Sequence, residues 1–342
     1  MKRKFLVTGG AGFIGSAFVR LLLDQLADVL VINLDLLTYA GNRDSLEGLD
    51  QDRHQFVHGD IADPEIVAQA LDEDCEAIIN FAAESHVDRS IANCTEFLRT
   101  NIVGTQVLLD AARKHGVRRF VQVSTDEVMG SLPDTGTTYF TEQSPFAPNS
   151  PYAASKAAAE HLVRAAHHTF GFDTVVTRCG NNYGPRQFPE KFLPLVIANA
   201  LNDEPIPIYG DGKNVRDWIY VEDHCRAILL ALENGMSGGV YNIGARNERR
   251  NIDVVASVLD TLGKPHSLMQ FVKDRPGHDH RYAIDPALVE TELGWRPAET
   301  WDSGLQKTIQ WYRDNDEWLE RVRSGAYRDY YRNQYGVEVG RI

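Results

Sequence analysis

Tyr152 and Lys156 stand four residues apart in Tyr152-Ala153-Ala154-Ser155-Lys156, which puts both on one face if the segment is helical. An ammonium beside a phenol favours the phenolate. Such a pair supplies a base usable near neutrality from a group whose ordinary pKa is about 10. A second constellation is Thr125-Asp126-Glu127, a hydroxyl followed by two adjacent carboxyls. Loss of water from a carbon skeleton needs one group to protonate the departing hydroxyl and another to take a proton from carbon. Two carboxyls with separated pKa values supply both. The third constellation is a run of glycines, Gly9, Gly10, Gly12 and Gly15. Singly, none of these is decisive: a Tyr–Lys pair at this spacing arises by chance on helices, and an Asp-Glu pair is an ordinary acidic turn. Their meaning depends on the elements that position them.

The glycines follow Phe5-Leu6-Val7-Thr8, which reads as a buried strand, and precede a helical pattern over 15–26. Glycine permits the tight turn and lets the backbone approach a pyrophosphate, while the helix N-terminus offers free N–H groups to that anion. In this context Gly9, Gly12, Phe13, Ile14 and Gly15 are expected to hold a dinucleotide. The next apolar run, 29–34, ends in Asp35, twenty residues beyond Gly15. A carboxylate there accepts hydrogen bonds from the adenosine ribose and repels a 2′-phosphate, so the expected cofactor is NAD, not NADP. Asp60 and Ile61 follow the third run and either flank the adenine or cap the helix that starts near Pro64. The strand over 77–81 leads into Phe81-Ala82-Ala83, where small residues leave room for a flat cofactor.

Apolar runs at 4–8, 29–34, 55–58, 77–81 and 119–124 alternate with helical patterns at 15–26, 64–71 and 101–115. This predicts an α/β fold, a Rossmann-type doubly wound parallel sheet with right-handed crossovers. Beyond about residue 180, closely spaced prolines predict a smaller, loop-rich α/β region that binds substrate. The expected domains are 1–180, NAD-binding, with 217–243 returning to it, and 181–342, mainly substrate-binding. A terminal helix is expected over 302–315, with Leu305, Ile309 and Tyr312 on one face.

Among 342 residues, 43% are hydrophobic, enough for a full core. A net charge of −13 argues against a nucleic-acid partner, because phosphate is repelled. Cys75, Cys94, Cys179 and Cys225 show no CxxC spacing and point to reduced thiols. The apolar stretch after the basic start stops at Val7, too short for a signal peptide, and no run approaches the ~20 residues of a membrane span. A soluble, cytoplasmic protein with no membrane partner is expected. His278-Asp279-His280 has no evident third protein ligand, so no metal site is expected.

Several longer segments sharpen the reading: Leu37-Thr38-Tyr39-Ala40-Gly41-Asn42, Ala82-Ala83-Glu84-Ser85-His86-Val87-Asp88-Arg89-Ser90 and Ser124-Thr125-Asp126-Glu127-Val128. To these are added Asn181-Asn182-Tyr183-Gly184-Pro185, Pro189-Glu190-Lys191, Arg216-Asp217-Trp218 and Asp274-Arg275-Pro276-Gly277-His278-Asp279. Together they resemble the extended short-chain dehydrogenase/reductase family and, more narrowly, its dTDP-glucose 4,6-dehydratases, over about residues 4 to 330. The resemblance implies conversion of dTDP-glucose to dTDP-4-keto-6-deoxyglucose by C4 oxidation, loss of water across C5 and C6, and hydride return to C6. It implies that Tyr152, supported by Lys156, takes the 4-hydroxyl proton and that Thr125 bonds that hydroxyl. Asp126 would be the acid at C6 and Glu127 the base at C5.

The same resemblance assigns Leu36, Thr38, Ser85, Thr100 and Asn182, with Tyr152 and Lys156, to NAD. It assigns Ser85, Thr125, Asn181, Lys191, Phe192, Pro207, Ile208, Tyr209, Arg216, Asn251, Arg275 and His278 to the substrate. Of these, Arg216 and Arg275 suit the diphosphate, since a guanidinium binds phosphate through two parallel hydrogen bonds. Relatives pair helices like 101–115 and 153–168 into a four-helix bundle, which implies a homodimer. Met129 and Arg186 depart from the family pattern, which favours tyrosine at both places; Arg186 is expected near the substrate entrance. Two other reactions use this scaffold, C4 epimerisation and decarboxylation of a nucleotide-linked glucuronate, and Asp126 with Glu127 argues against both. A non-catalytic NAD- or RNA-binding regulator is disfavoured by the intact Thr125, Tyr152 and Lys156.

Overall fold

Residues 2–71, 74–133, 137–274 and 277–323 are described by the computed structural model. Its strands are β1 (Arg3–Thr8), β2 (Val29–Asp35), β3 (His54–His58), β4 (Cys75–Asn80), β5 (Arg119–Thr125) and β6 (Asp173–Cys179). They continue with β7 (Asn181–Tyr183), β8 (Ile206–Tyr209), β9 (Val215–Tyr220), β10 (Val240–Ile243), β11 (Glu248–Arg250) and β12 (Met269–Val272). Seven strands form one sheet in the order β10-β6-β5-β4-β1-β2-β3, every pair parallel. Phe5, Leu6 and Val7 are all fully buried, so helices cover both faces, and such strands read as unbroken apolar runs. Strand order reverses between β1 and β4. A doubly wound sheet opens a crevice at that point, beyond the carboxyl ends of its strands.

On one face, helix Phe13–Gln25 packs with helix Val221–Asn234, and Phe18, Val19, Leu22, Ile228 and Leu232 share one core with β1, β2 and β4. Burying each large side chain of this kind stabilises the fold by roughly 1.5–3 kcal/mol. On the other face lies helix Pro151–Phe170, which carries Tyr152 and Lys156 in its first turns. Its start is set locally: Pro151 occupies the first turn, and the Ser150 hydroxyl accepts from the Ala153 amide at 3.1 Å. It ends at Gly171, whose φ of +64° is the left-handed conformation that favours glycine.

Two departures from the sequence reading bear on the site. The helix expected over 101–115 starts earlier, as Thr95–Phe97, and passes through a π-helical stretch, Leu98–Gly104, before Thr105–Lys114. This wider turn presents Asn101, whose Nδ2 donates to the Glu84 carbonyl at 3.0 Å and to Ser155 Oγ at 2.8 Å. Segment 217–243 divides: β10 pairs with β6 in the main sheet, whereas β9 pairs with β7 and β11 in a three-stranded sheet. A second core beneath that small sheet gathers Tyr183, Trp218 and Trp301 with Leu305, Ile309 and Tyr312 of helix Trp301–Asp314. Strands β8 and β12 form a separate parallel pair. Among the described residues, no helix is long and apolar enough to cross a membrane.

Candidate active site

A cleft of about 320 Å³ opens at the carboxyl ends of the strands, within the range of small-molecule sites. Its walls include Gly9, Gly12, Phe13, Ile14, Gly15, Asp35, Leu36, Thr38, Asp60, Ile61, Phe81, Ala82, Ala83, Ser85, Thr100, Tyr152, Lys156 and Asn182. Every residue assigned to the cofactor therefore faces one space. The glycines are needed sterically. Gly9 has φ +70°, and a Cβ there would lie 2.6 Å from the Ala82 nitrogen; one at Gly15 would lie 2.2 Å from the Gly9 carbonyl oxygen. A loop this tight, followed at once by a helix N-terminus with no acidic residue in its first turn, fits the diphosphate of a dinucleotide.

Asp35 closes β2 with Oδ2 accepting from the Ala11 amide and Oδ1 from the Leu37 amide, both at 2.8 Å. Burial raises its pKa against the pull of those two amides, and each oxygen keeps a further lone pair for a ligand hydroxyl. Asp60 accepts from the Ala62 amide at 2.8 Å and from Arg99 at 2.6 Å. It does not cap the following helix: Asp63 does, accepting from the amides of Glu65 and Ile66.

The acid–base residues Thr125, Asp126, Glu127, Tyr152 and Lys156 line the same cleft. Thr125, the last residue of β5, bonds Asp126 Oδ1 at 3.3 Å and accepts from the Glu127 amide at 3.3 Å. Asp126 is 2% exposed, and its Oδ2 has no hydrogen-bond partner among the described residues. Burial first, then the charge of Glu127, lifts its pKa well above the ordinary carboxyl value, with Arg216 opposing. Burial thus favours the proton-donating form of Asp126, whose Oδ2 is left without a partner among the described residues, while Glu127 beside it is only half-buried.

The expected effect of Lys156 on Tyr152 is corrected by the structure. Burial, followed by Glu127, pushes the phenol well above 10, and the counteracting interaction is its bond to Thr125, not an ammonium. Lys156 instead donates to the Val123 carbonyl at 2.7 Å, and burial lowers its own pKa to about 8, with Glu160 opposing. The protein alone therefore holds Tyr152 as a phenol.

On the substrate side, Ser85, Thr125, Asn181 and Lys191 line the cleft, and Lys191 Nζ donates to the Ser85 carbonyl at 2.9 Å. Phe192, Pro207, Ile208, Tyr209, Arg216, Asn251 and His278 are not part of its wall. Phe192 packs on Trp218, with ring centroids 6.2 Å apart. Ile208 is fully buried in the second core, so its side chain cannot reach a ligand. Pro207 and Tyr209 flank it on β8; Tyr209 is exposed and meets the His278 ring edge-on, and His278 Nδ1 lies 2.7 Å from Asp274 Oδ1. Asn251 opens helix Asn251–Leu262, its amide donating to the Asn214 carbonyl. Arg216 departs most from expectation. It is 5% exposed, donates to the carbonyls of Val215, Asp279 and His280, and lies over the Tyr282 ring. Backbone carbonyls thus engage Nη1 and one donor of Nη2, and the charge of the guanidinium acts on Asp126. Arg275 lies outside the described residues.

The two departures from the family pattern also fall away from the cleft wall. Met129 is 2% exposed in a cluster with Val128, Leu132 and Phe140, and Arg178 Nη1 approaches its sulfur at 3.7 Å. Arg186 lies over the Trp311 ring, just before Gln187 and Phe188, which line the cleft.

Sequence reasoning missed Glu84, Cys179 and Glu190, which line the cleft as well. Arg89 bonds Glu190 at 2.7 Å and lies 3.2 Å above the Tyr39 ring centroid, and burial raises the pKa of both Glu84 and Glu190. Glu84 and Glu190 adjoin Ser85 and Lys191, already singled out, and that adjacency was the available signal; Cys179 had no such neighbour.

Residues 6–308 match the family model described as GDP-mannose 4,6 dehydratase. The dTDP-glucose 4,6-dehydratase of Xanthomonas campestris pv. campestris is 51% identical over 95% of this chain and 97% of its own length. An Escherichia coli K12 relative, dTDP-glucose 4,6-dehydratase 1, is 49% identical over 97% and 99%. The solved dTDP-glucose 4,6-dehydratase of Streptomyces venezuelae, with NAD bound, superposes with a TM-score of 0.90 at 51% identity, covering 94% of this chain and all of that one. By contrast, the UDP-glucose 4-epimerase of Thermus thermophilus, a complex with NAD, shares the fold (TM-score 0.85) at 33% identity, covering 91% of this chain and 99% of its own. The cleft thus sits in a scaffold common to dehydratases and epimerases, and by sequence along nearly its whole length the chain belongs to the dTDP-glucose 4,6-dehydratases of the GDP-mannose 4,6-dehydratase family.

Proposed function

We propose that this protein dehydrates dTDP-glucose to dTDP-4-keto-6-deoxyglucose with NAD as a resident cofactor. The observation that carries the reading is Asp126: a carboxyl whose neutral form burial favours, with one oxygen unpartnered among the described residues, lining the same cleft as a second carboxyl and a buried tyrosine. Epimerisation needs no such acid, because no leaving group has to be protonated.

Bound NAD supplies the hydride acceptor for C4, the donor that returns hydride to C6, and a positive charge that favours a phenolate. Gly9, Gly12 and the helix after them would receive its diphosphate, Asp35 its ribose, and Ala82 and Ala83 its flat face. Tyr152 takes the proton of the sugar 4-hydroxyl, and Thr125 holds that oxygen in place. The resulting ketone acidifies the C5 hydrogen, which Glu127 removes. Asp126 passes its proton to the C6 oxygen, and water leaves; C5 takes a proton back as C6 regains hydride. Val123, Cys179, Phe81 and Phe188 add apolar side chains to the lining around these groups.

Incubating the protein with dTDP-, UDP-, GDP- and CDP-glucose and weighing the products tests this. The expected outcome is loss of one water from the dTDP sugar; an epimer of unchanged mass would overturn the reading. A homodimer belongs to the same proposal. It is supported by the exposed apolar side chains Leu98, Val103 and Phe170 and a shallow hollow between helices Thr105–Lys114 and Pro151–Phe170. A monomer in light scattering at micromolar concentration would refute it. A cytoplasmic setting is supported by the free thiols of all four cysteines.

A further inference from the structure

His224 sits in the first turn of helix Val221–Asn234 and is fully buried. Its Nδ1 lies 2.9 Å from Oδ1 of Asn182, a residue on the cleft wall. The other end of that amide, Nδ2, donates to the Gly180 carbonyl at 3.1 Å and to Cys179 Sγ at 3.3 Å. With the NH2 group committed in that direction, Oδ1 is the acceptor, and the hydrogen between the two side chains belongs to His224 Nδ1. Nε2 is then a bare lone pair, and it has no hydrogen-bond partner among the described residues. A buried lone pair is better tolerated than a buried orphan N–H, so both ends of the ring favour the same tautomer. Burial also lowers the pKa of His224 to about 3, which keeps the ring neutral throughout the working range. The arrangement therefore does not flip with pH.

That orientation has a consequence inside the cleft. A thiol is a weak acceptor, so the N–H resting on Cys179 is available to any stronger acceptor entering beside it. Cys179, Gly180 and Asn182 all line the cleft, and Cys179 is in register with Thr125 on the neighbouring strand. Were the amide reversed, this part of the wall would offer a carbonyl oxygen and would repel the same acceptor.

We propose that His224 is a positioning residue for the cofactor: it holds the Asn182 carbonyl from behind, so that the amide NH2 faces the cleft as a donor to bound NAD. The inference rests on the cleft being the NAD site. It makes His224, which touches neither cofactor nor sugar, act entirely through Asn182.

The test is a double-mutant cycle on NAD affinity, measured calorimetrically on His224→Leu, Asn182→Ala and the combined variant. Each single change should weaken NAD binding about tenfold, as expected for one hydrogen bond of about 1.4 kcal/mol. The combined variant should lose no more than Asn182→Ala alone. His224→Gln, which keeps an N–H donor, should recover most of the affinity. Should His224→Leu fail to fold, His224→Asn, polar but too short to reach, takes its place in the cycle. Losses that add in the double variant, or wild-type affinity in a folded His224→Leu protein, overturn the inference while leaving the cofactor assignment intact. A wild-type protein with no NAD affinity overturns the cofactor assignment, and this inference with it.

Discussion

Replacing Lys156 with methionine should make the protein more stable and inactive at once. Lys156 is 5% exposed, and its pKa is lowered from 10.5 to about 8, mainly by burial. A base with a depressed folded-state pKa is disfavoured by folding in its charged form. Below about pH 8 both the folded and unfolded states carry the proton, and the full penalty applies. Between about 8 and 10.5 the unfolded chain binds more protons, so wild-type stability rises with pH until the penalty vanishes. At 1.36 kcal/mol per pKa unit, the penalty at neutral pH is on the order of 3 kcal/mol. Methionine has similar length and no charge, and the Val123 carbonyl keeps a second donor in Gln122 Nε2 at 3.2 Å. Lys156→Met should therefore melt several degrees above wild type near neutral pH. The advantage should shrink as pH approaches about 10.5, where the penalty is gone. Calorimetry or fluorimetry at both pH values, alongside an activity assay, gives the answer. A variant that melts at or below wild type near pH 7, or an advantage independent of pH, would refute the claim that Lys156 is buried in its charged form.

Three further outcomes follow from the same geometry. Tyr152→Phe should abolish NADH formation from dTDP-glucose in rapid mixing while leaving NAD affinity near wild type; an undiminished NADH signal would sink its role. Asp126→Asn and Glu127→Gln should each lower product formation by about 10²- to 10⁴-fold, with NADH accumulating because the elimination step is blocked. Exchange of the C5 hydrogen with solvent deuterium should fall most in Glu127→Gln, and equal losses in both would mean that the two acids share their roles. Glu160→Gln breaks the ion pair with Arg178, 2.8 Å long with both side chains 4% exposed, and should cost about 3–5 kcal/mol in denaturant melts. Unchanged stability would mean that the guanidinium finds another partner.

Some of this protein is written in short stretches of chain. The turn at Gly9 to Gly15, the strand before it and the helix after it follow from local sterics, because few residues other than glycine tolerate those contacts and that φ. The helix bearing Tyr152 and Lys156 is announced by Ser150 and Pro151, and the four-residue spacing then places the pair without reference to the rest of the fold. Asp35 at the end of β2 and the acids after β5 were legible for the same reason: a strand's carboxyl end is a place the chain itself marks.

Charge state and partnership were not legible. Burial, and after it the charge of Glu127, favours the neutral form of Asp126, and Tyr152 is held as a phenol by the same enclosure. Arg216 looks in sequence like an open cation, yet the carbonyls of Asp279 and His280, more than sixty residues away, engage its Nη1 and Nη2. His224 carries no motif and meets Asn182 only because its helix packs behind β7 and β9. Local geometry depends on neighbours along the chain, whereas desolvation and hydrogen-bond partnership depend on neighbours in space. The sequence by itself determined which groups are present and on which elements; the tertiary structure decided which of them are charged, which are already engaged, and which are free to act.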